Sequence, residues 1–590
     1  MEPPGATEPP GAPKPPGTAG LPSAAEWPPT AALGSPGRLE APSRRGCLRR
    51  LRGALPTDWR LEVTELLRIA GPVFLTELMI FLIGVVSSIF CGHLGKVELD
   101  AVMLAVSFVN VTGISVGLGM ASACDTLMSQ SFGGKNLKRV GITLQRGILI
   151  LTLCCFPCWA IFINTEHILL LIKQDPEVSR LAQTYVMIFI PGLPAAFLFR
   201  LLMKYLQNQG IILPQVLTVF IVNVINVGMN YLLLRVLDLR VSGSAWANTV
   251  SQYLLCVLLL LYIWRRKLYM DTWGGWSRDC FQEWGFFIRL AIPSIFMVCI
   301  ESWAFEMGII LEGLINVTEL GAQGIINTLS FAAFTVPIGL GVAANVRVGH
   351  ALGAGNAVQA RQSCFTVYLC ACVCGLITGV LLIALKDVIG FVFTSDKDII
   401  SLVRQVIPIV APFCLIDALA GTSSGVLRGT GDQKMGAILN AIGYYAFGFP
   451  IGLSLMFAAN LGVIGFWSGM VICVLFQCVS YSVFIYKINW NRVADKAQVR
   501  AGLKGAKETI LIPTALPTLE IEIINGVILP DSIRAEDQTI QLMETEENSQ
   551  HGLSTIGEVL TVRQLIFYRG IALAVAVAVL LAGILIRVFI

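Results

Sequence analysis

Four carboxylic acids lie inside long apolar stretches of the chain, at Glu77, Glu301, Glu306 and Asp417. A charge at the centre of a bilayer costs about 2.5–3.5 kcal/mol on insertion scales, so acids at that depth indicate function. Desolvation raises the pKa of a carboxyl, and an approaching cation lowers it. A proton and an organic cation therefore compete for the same carboxylate, which is the chemistry of exchange. The alternative is that each acid is a protonated carboxyl bonded to a neighbouring backbone group.

The spacing of two of these acids predicts how they are displayed. Glu301 and Glu306 are five residues apart, which is about 140° around a helix, so they do not share one narrow face. We find no basic residue at equal depth in the predicted spans, and no histidine near the middle of one. Any proton carried through the membrane must therefore travel on a carboxylate.

Aromatic and amide side chains at the same predicted depth are candidates for the wall of a substrate cavity: Trp303, Phe305, Tyr444, Tyr445, Asn110, Asn223 and Asn226. The rings offer cation–π attraction to an organic cation. With Asn230, the last two asparagines form a polar stripe at i, i+3 and i+7. Two alternatives stay open: aromatic side chains commonly serve as packing, and membrane asparagines commonly join helices by hydrogen bonds.

Composition places the chain in a membrane. Of its 590 residues 55% are hydrophobic and 14% are charged, against about 25% charged in soluble proteins. Thirteen stretches are long enough to cross a bilayer as helices. Most of the sixteen cysteines fall inside these stretches, which favours packing over disulfides or metal binding. The sequence contains no ATP-binding loop and no zinc spacing, so we predict no cofactor, no metal and no nucleic-acid partner.

An internal duplication sets the architecture. Pro72 and Pro293 are 221 residues apart, as are Pro191 and Pro412, and Glu98 and Glu319. The predicted fold is an all-α membrane protein with two pseudo-symmetric six-helix bundles (12 transmembrane helices) plus a thirteenth C-terminal transmembrane helix. Transporters often carry such repeats, with the binding site near the bilayer midplane.

Five segments follow from this pattern: a disordered cytosolic arm at 1–62, an N-lobe at 63–276, a C-lobe at 277–488, a cytosolic linker at 489–562 and the thirteenth span at 563–590. Residues 1–60 hold 13 of the 27 prolines. Basic residues in alternate loops, including Arg200 and Lys204, predict a cytosolic N-terminus and an extracellular C-terminus. Asn316 begins an NVT sequon in an outward loop and is a candidate glycosylation site.

The chain resembles the multidrug and toxin extrusion (MATE) family. The resemblance rests on the duplicated halves and on three stretches, "CGHLGKVELDAV", "VRVGHALGAGN" and "GVLRGTGDQKMGA". It covers about residues 60 to 490, and the thirteenth span is similar to the animal branch. It implies exchange of protons for organic cations at the plasma membrane, often at the apical face of epithelia.

The family's functional positions match this chain unevenly. Its acids of spans 7 and 10 correspond to Glu301, Glu306 and Asp417. A glutamate expected in span 8 is replaced by Thr328, beside Asn327, and both are assigned to the cavity wall. Glu77 stands where the family has an uncharged glutamine. We interpret Glu77 as a second proton-accessible acid that compensates for the acid lost from span 8.

The leading hypothesis is a proton-coupled antiporter that exports small organic cations (drugs, toxins or metabolites) across the plasma membrane. Its partners are those cations, protons and membrane lipids. A sodium-coupled exporter and a lipid or glycan flippase share the same architecture and remain alternatives. An alternative of another class is an intramembrane enzyme with paired carboxylates, which requires two acids on a common face.

Overall fold

The computed structural model describes residues 59–312, 315, 317–394, 396–503 and 560–589. Every element in these ranges is helical, and they contain no strand. The predicted arm up to residue 58, most of the predicted linker and the candidate glycosylation residue Asn316 lie outside the described residues.

Twelve helices are long and apolar enough to cross a membrane, and a pair bent by 59° raises the number to thirteen when it is counted as one span. We number the spans 1 to 13 in chain order: Trp59–Gly92, Val97–Gly133, Leu137–Ile163, the bent pair Pro176–Phe189 and Gly192–Gln207, Leu213–Val236, Arg240–Arg265, Trp284–Glu312, Val317–Gly353, Ala357–Leu385, Lys397–Thr430, Gln433–Ala458, Gly462–Lys487 and Val562–Phe589. Shorter helices are Thr165–Leu171, Arg278–Phe281, Ile389–Phe393 and Trp490–Arg500. The predicted all-α fold with twelve spans and a thirteenth is confirmed.

The duplication is visible in local structure. Asn136 begins span 3 and Asn356 begins span 9, and each side chain accepts from the backbone N–H three residues on, at 3.3 and 3.0 Å. Asparagine is among the best residues for this N-cap role. Spans 5 and 11 both end in a π-helical turn, at Tyr231–Val236 and Ser454–Ala458. The two six-helix lobes, spans 1–6 and spans 7–12, therefore repeat each other in detail.

The first span of each lobe contributes residues to hydrophobic clusters of both lobes. Leu66 and Val73 of span 1 pack in a cluster with C-lobe residues, whereas Ile83 of the same span packs in the N-lobe core. Span 7 also contributes to both lobes, with Phe287 in the N-lobe core and Ala304 in a second cluster of C-lobe residues. Span 7 therefore carries its acids at the point where it enters the C-lobe.

One end of the helical bundle carries a group of exposed basic residues. Because consecutive spans alternate in direction, the connections after even-numbered spans lie at one end. That end carries the exposed lysines Lys135 and Lys138 and the exposed run Arg265–Lys267, and we call it the basic face. The other end is called the opposite face.

Hydrogen bonds join the lobes in the half of the molecule near the basic face. Thr126 Oγ1 of span 2 donates to the carbonyl of Arg428 in span 10 at 2.7 Å. Gln130 Nε2, one turn later, donates to the carbonyl of Gly429 at 2.9 Å. These contacts hold spans 2 and 10 together across the boundary between the lobes, which we call the seam.

Candidate functional site

Two of the predicted acids lie in the same region of the C-lobe. Glu301 of span 7 and Asp417 of span 10 lie close enough to interact electrostatically, and both also act on the buried hydroxyl of Tyr444 in span 11. Asp417 is 8% exposed and Tyr444 is 2% exposed. Three spans therefore bring two carboxylates and a phenol into one cluster, in which Glu301 is half-buried and the other two residues are buried.

The same cluster includes a cation that the sequence did not suggest. Arg428 interacts electrostatically with Glu301 and lies in the last turn of span 10. Its guanidinium also donates to Ser424 Oγ and to the Ser424 carbonyl, each at 3.4 Å. The helix continues past Arg428 until Gly431 adopts a left-handed φ of 80°. A helix that ends at such a glycine includes the residues before it.

Glu306 faces the other lobe. Its Oε2 accepts a hydrogen bond of 2.6 Å from Ser107 Oγ in span 2. Trp303 Nε1 donates to the carbonyl of Val111, also in span 2, at 3.1 Å. Val111 lies in a single π-helical turn, Asn110–Ile114, a feature that is frequent at functional sites. The two acids of span 7 therefore point to different lobes, and this π turn in span 2 faces span 7.

The candidate aromatic residues separate into two groups. Phe305 lies near Trp467, with ring centroids 6.5 Å apart, beside the core of the C-lobe. Tyr444 is buried in the acid cluster, whereas its neighbour Tyr445 is 48% exposed and its ring stacks on Phe449 at 5.6 Å. The adjacent tyrosines therefore occupy different environments.

The asparagine stripe of span 5 joins helices. Asn223 Nδ2 donates to the carbonyl of Met79 in span 1 at 2.8 Å. Asn226 and Asn230 are fully buried and donate to Ser251 of span 6 and Ser87 of span 1, at 2.9 and 3.3 Å. These contacts favour the helix-joining alternative for the stripe.

Three other candidates occupy partly accessible positions. Thr328 is half-buried, and its hydroxyl donates to the Gly324 carbonyl one turn earlier, at 2.8 Å. Asn327 is half-buried beside it in span 8, and Asn110 is exposed at the start of the π turn. Their place in a cavity wall stays a prediction.

The expectation that the acids have no basic partner at equal depth is wrong. Glu77 of span 1 pairs with Arg200 of span 4, with Oε2 and Nη1 at 3.2 Å. Asp125 of span 2 pairs with Lys204 at 3.2 Å. We had assigned Arg200 and Lys204 to a loop at the cytosolic end, but span 4 extends to Gln207 and holds both side chains between helices.

A cavity of about 690 Å³ opens between the lobes at the basic face, and Phe132, Asp271, Arg347 and His350 lie in its wall. None of the predicted site residues lines it. In the part of the chain that the structure describes, no three His, Cys, Asp or Glu side chains form a group that could hold a metal ion.

Duplicated six-helix lobes with carboxylates at membrane depth define a polytopic transporter. The chain belongs to the MatE family, whose model matches residues 72–232 and 293–453. The two matches begin 221 residues apart, which is the offset of the repeat in the sequence. Members of this family are multidrug and toxin extrusion transporters, so the intramembrane-enzyme alternative is excluded.

Relatives cover nearly the whole chain. Multidrug and toxin extrusion protein 2 of Mus musculus is 68% identical over 91% of this chain and 94% of that protein. Multidrug and toxin extrusion protein 1 of Rattus norvegicus is 52% identical over 94% and 98%. The crystal structure of the eukaryotic MATE transporter AtDTX14 is similar with a TM-score of 0.72 and 31% identity, over 75% of this chain and 99% of that one.

Proposed function

We propose that this chain is a proton-coupled antiporter that exports small organic cations across the plasma membrane. The observation that carries the proposal is the proximity of Glu301 and Asp417 in a buried cluster of the C-lobe. Like charges at such a site repel each other, and a proton or a bound cation relieves the repulsion. The names of the relatives, which refer to extrusion of drugs and toxins, support the substrate class.

The charges of the cluster favour exchange of one proton for one monovalent cation. When both carboxylates of the cluster, Glu301 and Asp417, are ionised, Arg428 beside Glu301 offsets one of the two negative charges and a net charge of −1 is left. A buried net charge is costly, so the site favours taking up one positive charge. Either a proton or a monovalent organic cation satisfies that requirement, and the two exclude each other. Glu306 and Trp303, which are hydrogen-bonded to span 2 of the other lobe, are proposed to form the wall of the cation site next to this cluster.

The basic face is proposed to lie in the cytosol. The exposed lysines and arginines at that end follow the positive-inside rule. The N-terminus is then cytosolic, and the far end of span 13, where Arg587 pairs with Glu166 at 3.0 Å, is extracellular. An epitope added at the C-terminus is expected to bind antibody on intact cells without permeabilisation.

The function is tested with purified protein in vesicles that have an acidic lumen. We expect uptake of radiolabelled tetraethylammonium that stops when a protonophore collapses the pH gradient. A sodium gradient at constant pH serves as the matched arm. Uptake driven by a sodium gradient alone would show that sodium, and not the proton, is the coupling ion. Flipping of a fluorescent lipid without cation uptake would identify a flippase.

The pair formed by Glu77 and Arg200 gives a further prediction. Both side chains are about one-fifth exposed, at 19% and 20%. Glu77→Gln and Arg200→Gln are each expected to lower thermal stability and transport, because each leaves a partly buried charge without its partner. The double variant is expected to recover about 0.5–3 kcal/mol relative to the sum of the single changes. Thermal unfolding in detergent measures this coupling.

The proton-accessible role of Glu77 is tested in the same series. Arg180→Gln, at an exposed position of span 4, is the control. Span 1 runs antiparallel to span 8, with Phe74 against Gly339 and Phe81 against Phe331. Glu77 is therefore about 10 Å along the axis from Thr328, at 1.5 Å per residue. If Thr328→Glu restores the pH profile of Glu77→Gln, the compensation hypothesis holds; without restoration, Glu77 serves mainly to hold Arg200.

A further inference from the structure

A short helix, Trp490–Arg500, follows span 12, and its first half packs against the C-lobe. Asn489 caps it by accepting from the backbone N–H of Arg492 at 3.2 Å. Val493, Ala494 and Ala497 are buried and pack in the same hydrophobic cluster as residues of spans 8, 9 and 10. This apolar side fixes the helix against the C-lobe at the basic face.

The end of this helix crosses the seam. The carbonyl of Ala501 accepts a hydrogen bond of 2.9 Å from Asn136 Nδ2, which lies in the turn between spans 2 and 3 of the N-lobe. Leu503 covers Gly134 of the same turn so closely that a Cβ there would lie 2.6 Å from Leu503 Cδ1. One polar and one apolar contact therefore connect a C-lobe element to an N-lobe turn.

Arg500 ties the same end to span 10. Its Nη1 donates to the carbonyl of Thr430 at 2.7 Å, and its guanidinium lies over Gly431. Burial lowers the pKa of Arg500, and the charge of Asp432 opposes that shift. Thr430 directly follows Arg428 and Gly429, whose carbonyls accept from span 2 across the seam. The helix end and the seam bonds therefore meet at one place.

Comparison of the two repeated halves shows that, among the described residues, only the segment after span 12, and not the segment after span 6, connects one lobe to the other. Asn356 occupies the position in the C-lobe that Asn136 occupies in the N-lobe, but its Nδ2 faces Gln359 Oε1 at 3.4 Å instead of the helix. The segment that follows span 6 returns to its own lobe, where Gln145 Nε2 donates to the Gly275 carbonyl at 2.7 Å. The duplication alone therefore does not explain why the segment after span 12 spans both lobes.

We infer that residues 490–503 form a latch that holds the cytosolic side of the seam closed and must release the turn Gly133–Asn136 before a cation can enter from the cytosol. The inference rests on the proposed function for its orientation and for the need to open. Alternating access requires the lobes to separate on one side at a time. Each bond between the latch and the N-lobe turn must break in that step.

The first test removes the polar contact and keeps the helix cap. Asn136→Asp keeps a good N-cap for span 3 but replaces the amide donor with an acceptor that faces the Ala501 carbonyl. Asn356→Asp is the matched control at the repeated position. Ser129→Cys is the reporter, because Ser129 is fully buried in the seam against Gly349. Labelling is compared with the same chain that retains Ser129.

A membrane-impermeant thiol reagent is applied to the basic face, and its rate of reaction with the reporter cysteine at position 129 is measured. We expect Asn136→Asp to raise this rate about fivefold, because the loss of one ordinary hydrogen bond changes an equilibrium by about that factor. Asn356→Asp should leave the rate unchanged. Equal rates in both variants, with both proteins folded by size-exclusion chromatography, would overturn the latch. The readout needs no substrate, so it is independent of whether the proposed transport activity is found.

The second test locks the latch covalently. Gly134→Cys with Leu503→Cys places two thiols at the closest latch contact, and mild oxidation should join them. Crosslinked protein should lose uptake of tetraethylammonium, and a reductant should restore it, whereas each single variant should be indifferent to both reagents. Full uptake by completely crosslinked protein would overturn the proposal. Absence of proton-driven uptake by the unmodified chain would instead refute the proposed function, and the labelling rates would then decide on the latch.

Discussion

Glu301→Gln is expected to reduce proton-driven cation exchange to background while the protein still reaches the cell surface in nearly normal amounts. Glutamine keeps the volume of the side chain but carries no titrating group. Without the charge of Glu301, the cluster keeps one carboxylate in place of two, and the repulsion that favours uptake of a proton or cation is lost. Uptake of radiolabelled tetraethylammonium and surface biotinylation measure the two quantities.

The matched control is Glu65→Gln, an acid of span 1 that is 37% exposed and pairs with Arg68 at 3.8 Å. It should leave transport and surface delivery unchanged. Normal proton-driven flux in Glu301→Gln would falsify the central role of the C-lobe cluster.

The other acids should rank in a definite order. Asp417→Asn is expected to match Glu301→Gln, because it removes the second charge of the same cluster. Glu306→Gln is expected to act more weakly, because its carboxylate is bound to Ser107 of the other lobe. If Asp417→Asn transports normally but reaches the surface poorly, the residue has a structural role.

The fold was predictable from the sequence wherever the two halves of the chain share a repeated pattern of residues. Prolines at a constant offset predicted two six-helix lobes, and Asn136 and Asn356 do begin equivalent helices. The contribution of spans 1 and 7 to hydrophobic clusters of both lobes was not predictable in this way. Leu66 and Phe287 are ordinary apolar residues, and only packing decides which core receives them.

The charges at membrane depth were the hardest feature to place. A hydropathy criterion ends a span where charged residues begin, so Arg200 and Lys204 were assigned to a loop. The helix continues because Glu77 and Asp125, more than 70 residues away in sequence, supply the partners that make burial possible. Glu306 and Glu301 were found by type and depth, but the lobe that each one faces depends on Ser107 and Arg428, whose positions the spacing does not report.

Lys204→Met is expected to be the most destabilising single change considered. The side chain of Asp125 is 1% exposed and that of Lys204 is 9% exposed, with Oδ2 and Nζ 3.2 Å apart. Asn208 Nδ2 donates to the other carboxylate oxygen at 2.7 Å. Methionine keeps the length of the lysine stem but leaves the buried carboxylate without its cation, which costs about 3–5 kcal/mol.

The predicted loss is measured by thermal unfolding of purified protein, with Lys138→Met, at an exposed position of span 3, as the control. Lys204→Met combined with Asp125→Asn should recover most of the stability, because a neutral amide tolerates burial better than a lone carboxylate. The recovery should extend to transport, since Asp125 directly precedes Thr126, whose hydroxyl bonds span 10 across the seam. If the double variant is as unstable as Lys204→Met alone, the loss comes from packing of the lysine stem and the ion pair contributes little.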